Sequence, residues 1–530
     1  MVKSDSSAIT GRRFFEEMPV IQILSSILLG FVLPVGIYAI LPKLGITQLA
    51  DFFSEDKIRL LFLISASTLY LYYLNFMVNR PTLLLYQALI CSPLVVYFSR
   101  TMPGLVSETL IVIAYMVIPT ICLVKNNFKL LYKHVPFFKY FTAHMIIVVL
   151  YFIFYQREVY DYTRPGQMGL LPIGYKYFYD QITMYLITIL AGSAYLLVPN
   201  KKKFLSTVSR IVSFNLIYMS IIGMVTCLLG LKEFYMQDHL VRRAQSLLSH
   251  PNEFAEYLSI SLFFLIAMFL FRLRSSEFKI GKGDTIFQIS AAIIGFIALI
   301  LTFSKTILLS TIISLTVFSL LMILAFRKQL VKYFYYFLII PIIVLASIFG
   351  FQAITHQDLF SSLQDRVSQN ESMEWRLRVN DFLTSDINPE TIWFGYGLSA
   401  ANEKMSTFET PWIDKVNHDN KIVQVVKVHN AFLKQIYDFG LLGIIIFIGL
   451  GLTFFKNIQT FFKYSLKYNI CILDVMISAF ILFYLIACSN ETIFENGAYV
   501  PPFWLLITIL YLASKSFRND KDVIYNAPTN

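Results

Sequence analysis

The chain has 530 residues, of which 57% are hydrophobic and only 15% charged, with a formal net charge of +11 and a mean hydropathy of +0.63. A soluble domain carries about 25% charged residues, so this composition excludes an ordinary water-soluble globular protein and makes lipid the solvent for most of the chain. The five cysteines, Cys91, Cys122, Cys227, Cys471 and Cys488, lie in or beside apolar runs, which argues against a disulfide framework or a zinc site.

Apolar runs of about 20 residues, each long enough to cross a bilayer as a helix, recur from end to end. The chain reads as an all-α polytopic integral membrane protein of about fourteen transmembrane helices, with one long extracytoplasmic loop containing short helices. Residues 1–19 form an N-terminal tail, and the first run, too long and without a small-residue cleavage site, is expected to stay as a helix. The membrane domain, 20–354, holds spans at 20–41, 60–78, 82–99, 105–124, 138–155, 178–198, 209–230, 254–271, 285–304, 306–325 and 333–354. A polar loop follows at 355–437, then spans at 438–455, 468–488 and 499–514 and a tail at 515–530.

Basic residues set the orientation. With the N-terminus cytoplasmic, Arg12–Arg13, Lys125, Lys129, Lys133, Lys201–Lys203, Arg272, Arg274, Arg327–Lys328 and Lys456 fall inside, and the acids fall mainly outside. The basic balance is then a topology signal and implies no nucleic-acid partner. Both tails are cytoplasmic and the long loop faces outward.

Four polar segments stand out, in chain order. Arg242-Arg243-Ala244-Gln245-Ser246-Leu247-Leu248-Ser249-His250-Pro251-Asn252-Glu253-Phe254 leads into a membrane helix at about Phe254. Asn252 is placed as its N-cap, with Pro251 stiffening the approach. A helix N-terminus beside two arginines suits an anion; interfacial arginines on lipid phosphate would account for the same residues. Thr302-Phe303-Ser304-Lys305-Thr306 separates two apolar runs. Its lysine either faces a polar cavity or snorkels to the interface.

The third segment, Glu374-Trp375-Arg376-Leu377-Arg378-Val379-Asn380-Asp381-Phe382, lies in the long loop. Guanidinium forks suit phosphate, and surface salt bridges are the alternative. Asn388-Pro389 and Phe394-Gly395-Tyr396-Gly397 downstream read as turns. The fourth, Val428-His429-Asn430-Ala431-Phe432-Leu433-Lys434-Gln435-Ile436-Tyr437-Asp438-Phe439-Gly440, reads as a short amphipathic helix. Phe432, Ile436 and Phe439 share its apolar stripe, Lys434 and Asp438 form an i,i+4 pair, and Gly440 and Gly443 permit a bend or close packing. His429, at the helix start, is a structural histidine or, at the mouth of a cavity, a general base. No phosphate-binding glycine loop, metal-ligand cluster or HExxH is present. The D-x-D at Asp520-Lys521-Asp522 lies in the tail and reads as a solvated charge run.

In their motifs and order these segments resemble the bacterial O-antigen ligase and O-antigen or capsule polymerase family. The resemblance covers about residues 240–450, and its most specific part is H-N-A-F-L-K-Q-I-Y-D-F-G-L-L-G. It implies a metal-independent, cofactor-free inverting transfer at the outer face of the bacterial inner membrane. The donor is a glycan on undecaprenyl diphosphate; the acceptor is a lipid A core sugar or another repeat unit. It further implies that Arg243, Lys305 and Arg376 bind the donor diphosphate and that His429 is catalytic, with Arg242, Arg378, Asn252 and Asn430 as secondary residues. Lys305 stands where the family usually has arginine, and Asn380 where tryptophan is common. A lipid-linked oligosaccharide flippase or other transporter is the alternative, although charges gathered in outer loops suit it less than charges near the midplane. A non-catalytic lipid-binding subunit is a third reading.

Overall fold

A computed structural model describes residues 80, 82–90, 128–156, 173–230, 235–238, 241–248, 250–274, 282–326, 371–408, 428–464, 471–490 and 500–525. The spans expected at 20–41, 60–78, 105–124 and 333–354 lie outside these residues, as does the second half of 82–99. The chain divides into two compact units at Leu84–Leu85, and the elements below belong to the second.

Helix α1 (Phe128–His134) leads into α2 (Pro136–Phe154), α3 (Ile173–Leu197) and α4 (Lys201–Leu229). A hairpin of β1 (Tyr235–Asp238) and β2 (Val241–Ala244) precedes α5 (Pro251–Arg274), α6 (Lys282–Leu301) and α7 (Lys305–Phe326). The loop contributes α8 (Glu371–Thr384), α9 (Ala400–Ser406) and α10 (Ala431–Phe439). A 3-10 turn (Gly440–Ile444), α11 (Ile445–Tyr464), α12 (Cys471–Asn490) and α13 (Val500–Tyr525) complete the unit.

Among the described residues seven helical segments are long and apolar enough to cross a membrane, and the shorter apolar helices Leu473–Ser489 and Phe503–Ser516 match two further expected spans. The runs at 285–304 and 306–325 are separate helices, parted only by Thr302, Phe303 and Ser304. Helix α13 continues to Tyr525, through much of the tail expected at 515–530. The all-α expectation is corrected in one place. β1 and β2 pair antiparallel, with Met236 opposite Arg243 and Gln237 opposite Arg242.

Helix α5 is central and packs against α4, α6, α7, α12 and α13. In lipid there is little hydrophobic drive between helices, so close packing holds them together. Aromatic contacts supply much of it: Tyr484 stacks on Phe503 at 3.8 Å, and Phe141 lies 4.5 Å from Trp504. Polar ties mark the two ends. At one end Arg210 on α4 pairs with Asp284 on α6, and the Ser514 hydroxyl donates to Asp474 between α13 and α12. The hairpin, the α6–α7 turn and the loop helices gather at the other.

The loop helices pack on a core of Val379, Leu383, Ala400, Ala401, Met405, Val428, Leu433 and Tyr437. The Phe394–Gly397 turn caps α10: the amides of Tyr396 and Gly397 donate to the carbonyls of Tyr437 and Asp438 at 2.9 and 3.0 Å. These are orphan carbonyls of the helix's last turn. Gly395 and Gly440 both have positive φ, +68° and +65°, and meet backbone to backbone. A Cβ on Gly440 would lie 2.3 Å from the Trp393 carbonyl. Gly440→Ala therefore meets both left-handed strain and a backbone clash. Its expected result is a lower thermal midpoint and loss of the α10 cap, read as faster proteolysis in the loop; unchanged stability would contradict this packing.

Candidate active site

The hairpin delivers Arg243 to the α6–α7 turn. Ser246, at φ +55° just beyond β2, turns the chain back and donates its hydroxyl to the Met219 carbonyl at 2.8 Å, tying the hairpin exit to α4. Arg243 is only 4% exposed. Its Nε–H donates to the Thr302 carbonyl at 2.9 Å, and an Nη2–H donates to Asn252 Oδ1 at 2.8 Å.

That contact corrects the expected role of Asn252. Helix α5 begins at Pro251, not near Phe254. The Asn252 amide donates to His250 Nδ1 at 3.1 Å, and the Phe254 amide to the His250 carbonyl at 3.1 Å. His250 thus occupies the capping place, one residue before a proline at the first helical position, where proline is favoured. The Asn252 side chain is left to hold the arginine.

The turn itself is tightly wound. Thr302 Oγ1 donates to the Leu299 carbonyl at 2.7 Å and accepts from the Ser304 amide at 3.3 Å. Phe303 is buried at φ +49°. Helix α7 then starts at Lys305, whose side chain is half-buried. The positive end of the helix dipole adds to the lysine charge here. Ser304 Oγ is enclosed and has no hydrogen-bond partner among the described residues. Sequence reasoning passed over Ser304 in favour of its charged neighbour, although its place just before an apolar run was a capping signal.

Arg376 reaches the same turn from the loop. It is half-buried on α8, and an Nη1–H donates to Thr306 Oγ1 at 2.9 Å. Arg243 and Arg376 therefore grip opposite ends of Thr302–Thr306, with Lys305 between those ends. Arg378, two residues along α8, is exposed on a different face. The Arg242 side chain lies outside the described residues; its backbone pairs with Gln237.

His429 is half-buried just before α10. Asn430 caps that helix, its Oδ1 accepting from the Leu433 amide at 3.1 Å. Helices α8 and α10 pack together. Val379, one turn beyond Arg376, and Val428, next to His429, share one apolar cluster. Thus Arg376 and His429 sit on elements of one small module.

The apolar stripe expected on α10 is split, with Phe439 fully buried. Phe432 and Ile436 are only half-buried, whereas Lys434, Gln435, Tyr437 and Asp438 are buried. Lys434 Nζ lies 3.2 Å from Asp438 Oδ2 and 4.6 Å from the centre of the Tyr177 ring. Asp438 Oδ1 accepts from the Ala401 amide at 2.8 Å, and Gln435 Nε2–H donates to the Tyr177 hydroxyl at 2.6 Å. One short helix is thereby tied to α9 in the loop and to α3 in the membrane domain. At the module's outer side, Lys404 and the Tyr437 hydroxyl both donate to Asp386, at 2.6 and 3.0 Å. The Lys404 hydrogen bond chiefly holds the Asp386 carboxyl below its usual range. The small stabilisation from this half-exposed pair is present above the ordinary carboxylate range and is lost as acidification passes the depressed pKa.

A comparison with protein families matches residues 290–448 to the family described as O-antigen ligase. The match supports an O-antigen ligase family. Within the matched residues lie the α6–α7 turn with Lys305, α8 with Arg376 and Arg378, and His429 with Asn430. Arg242, Arg243 and Asn252 precede it, and it covers under a third of the chain. No curated protein matches the chain. The match and the apolar helices together fit a multi-pass bacterial membrane enzyme that processes glycans.

Proposed function

We propose that the protein is a metal-independent, inverting glycan transferase of the O-antigen ligase or repeat-unit polymerase type, acting on undecaprenyl-diphosphate-linked glycan at the outer face of the inner membrane. The observation that carries this reading is the convergence of Arg243 and Arg376, from a hairpin and a loop helix, on the turn bearing Lys305. Arg376 and Lys305, both half-buried, face the donor diphosphate. Arg243, enclosed behind the turn, fixes it in place and adds its positive field. The acceptor hydroxyl attacks the anomeric carbon, and the glycosyl–oxygen bond to undecaprenyl diphosphate breaks. The electron pair leaves with the diphosphate, whose growing charge the cations stabilise. His429 takes the acceptor proton. The lipid tail lies among the helices.

Glycan analysis of a deletion strain tests this. Single repeats left on the lipid anchor indicate a lost polymerase, and long chains still on that anchor a lost ligase. Lipid-linked glycan trapped on the cytoplasmic leaflet would indicate a flippase and overturn the proposal.

A further inference from the structure

We propose that the Trp393–Phe394 tip of the loop module is a membrane-seating element that dips into the bilayer interface, so that the module lies against lipid and does not stand out in water. Trp393 and Phe394 are 60% and 64% exposed, side by side on one turn. The tip is anchored beside the ends of two membrane helices. The Tyr151 hydroxyl on α2 donates to the Phe394 carbonyl at 2.5 Å, and the Leu398 amide donates to the Tyr155 carbonyl at 3.0 Å. On its other side the Leu441 amide, just before α11, donates to the Ile392 carbonyl at 2.8 Å.

Both helices present exposed apolar stripes. On α2 the stripe is Ile146, Leu150, Ile153 and Phe154; on α11 it is Ile448, Leu452 and Phe455. Each follows helical spacing along one face, the pattern of a surface meant for lipid. Helices α2 and α11 pack side by side, and the aromatic tip sits where the two stripes end. Amphipathic aromatic rings favour the level where acyl chains meet headgroups. An exposed apolar patch continuous with lipid-facing helices thus has the bilayer as its occupant. The inference rests on the membrane reading of α2 and α11 and is independent of the glycan chemistry.

The test uses the full chain in liposomes, with Trp393→Phe as the subtracted reference so that every other tryptophan stays in place. The difference emission, which belongs to Trp393, is measured with lipids brominated near the headgroup and with aqueous iodide. Quenching by the brominated lipid should exceed that by iodide. Stronger quenching by iodide would overturn the proposal, and so would an emission that neither quencher reaches, which would mean a protein surface covers the tip. Should Trp393→Phe fail to fold, the same ratio read on a nitroxide at Phe394→Cys, with oxygen as the lipid-phase probe and a nickel chelate as the aqueous probe, decides the question.

Discussion

Replacing Arg376 by alanine is expected to abolish detectable glycan transfer while the protein still inserts and folds. Its guanidinium is half-buried and donates to Thr306 Oγ1 at 2.9 Å. A planar guanidinium fork matches two phosphate oxygens at once, which an ammonium does not. Removing a donor aimed at developing negative charge typically costs about 10²–10³-fold in rate. Arg376→Lys keeps the charge and loses the fork, so it should fall between wild type and alanine. His429→Ala should be as severe, because the loss of a general base typically costs about 10²–10⁴-fold. The two variants should differ in donor binding: Arg376→Ala weakens it, whereas His429→Ala leaves it intact. Wild-type product from both would dismiss the assigned roles. Loss of membrane insertion would move them to folding.

The second large effect is on stability. Lys434 and Asp438 are 1% and 0% exposed and pair within α10, where Asp438 also accepts from the Ala401 amide of α9 and Lys434 lies over the Tyr177 ring of α3. Removing one member of a buried pair leaves an uncompensated charge and typically costs about 3–5 kcal/mol. Asp438→Ala also orphans the Ala401 amide and strands Lys434 over Tyr177. A nine-residue helix has little stability of its own, so α10 depends on these ties for its position, and His429 depends on α10. A thermal midpoint several degrees lower is expected for Asp438→Ala. Lys434→Met combined with Asp438→Asn, which removes both charges, should recover much of that loss. Equal destabilisation by the single and double variants would show that the charge pair is not what holds the helix.

The sequence located most of the described membrane helices within a few residues, because an apolar run of membrane length has few other uses. Thr302–Thr306, Arg376 and the His429 helix, which the resemblance joined, fall on elements that bond or pack to one another. What sequence reasoning misjudged has physical reasons. The hairpin carrying Arg243 has strands of four residues without clean alternation, too short for a period to emerge. Asn252 was preferred as a cap on residue type, whereas Pro251 at the first helical position had already fixed the cap at His250. The apolar stripe of α10 was legible, but the burial of its polar face was not. Beside a bilayer Phe432 and Ile436 can stay half-buried at little cost, while Lys434 and Asp438 must find partners inside. The approach of Gly395 to Gly440 joins segments distant in the chain. No local pattern announces it, although each glycine alone suggested a turn.

Transfer by the purified protein tests the central claim most directly. The full chain in detergent, stripped with EDTA, is given undecaprenyl-diphosphate-linked glycan and a saccharide acceptor, and the products are analysed by mass and anomeric configuration. A new glycosidic bond of inverted configuration, formed without added metal and absent with Arg376→Ala, is the expected result. Lipid-linked donor recovered unchanged under conditions where the same preparation moves it across vesicle membranes would contradict it.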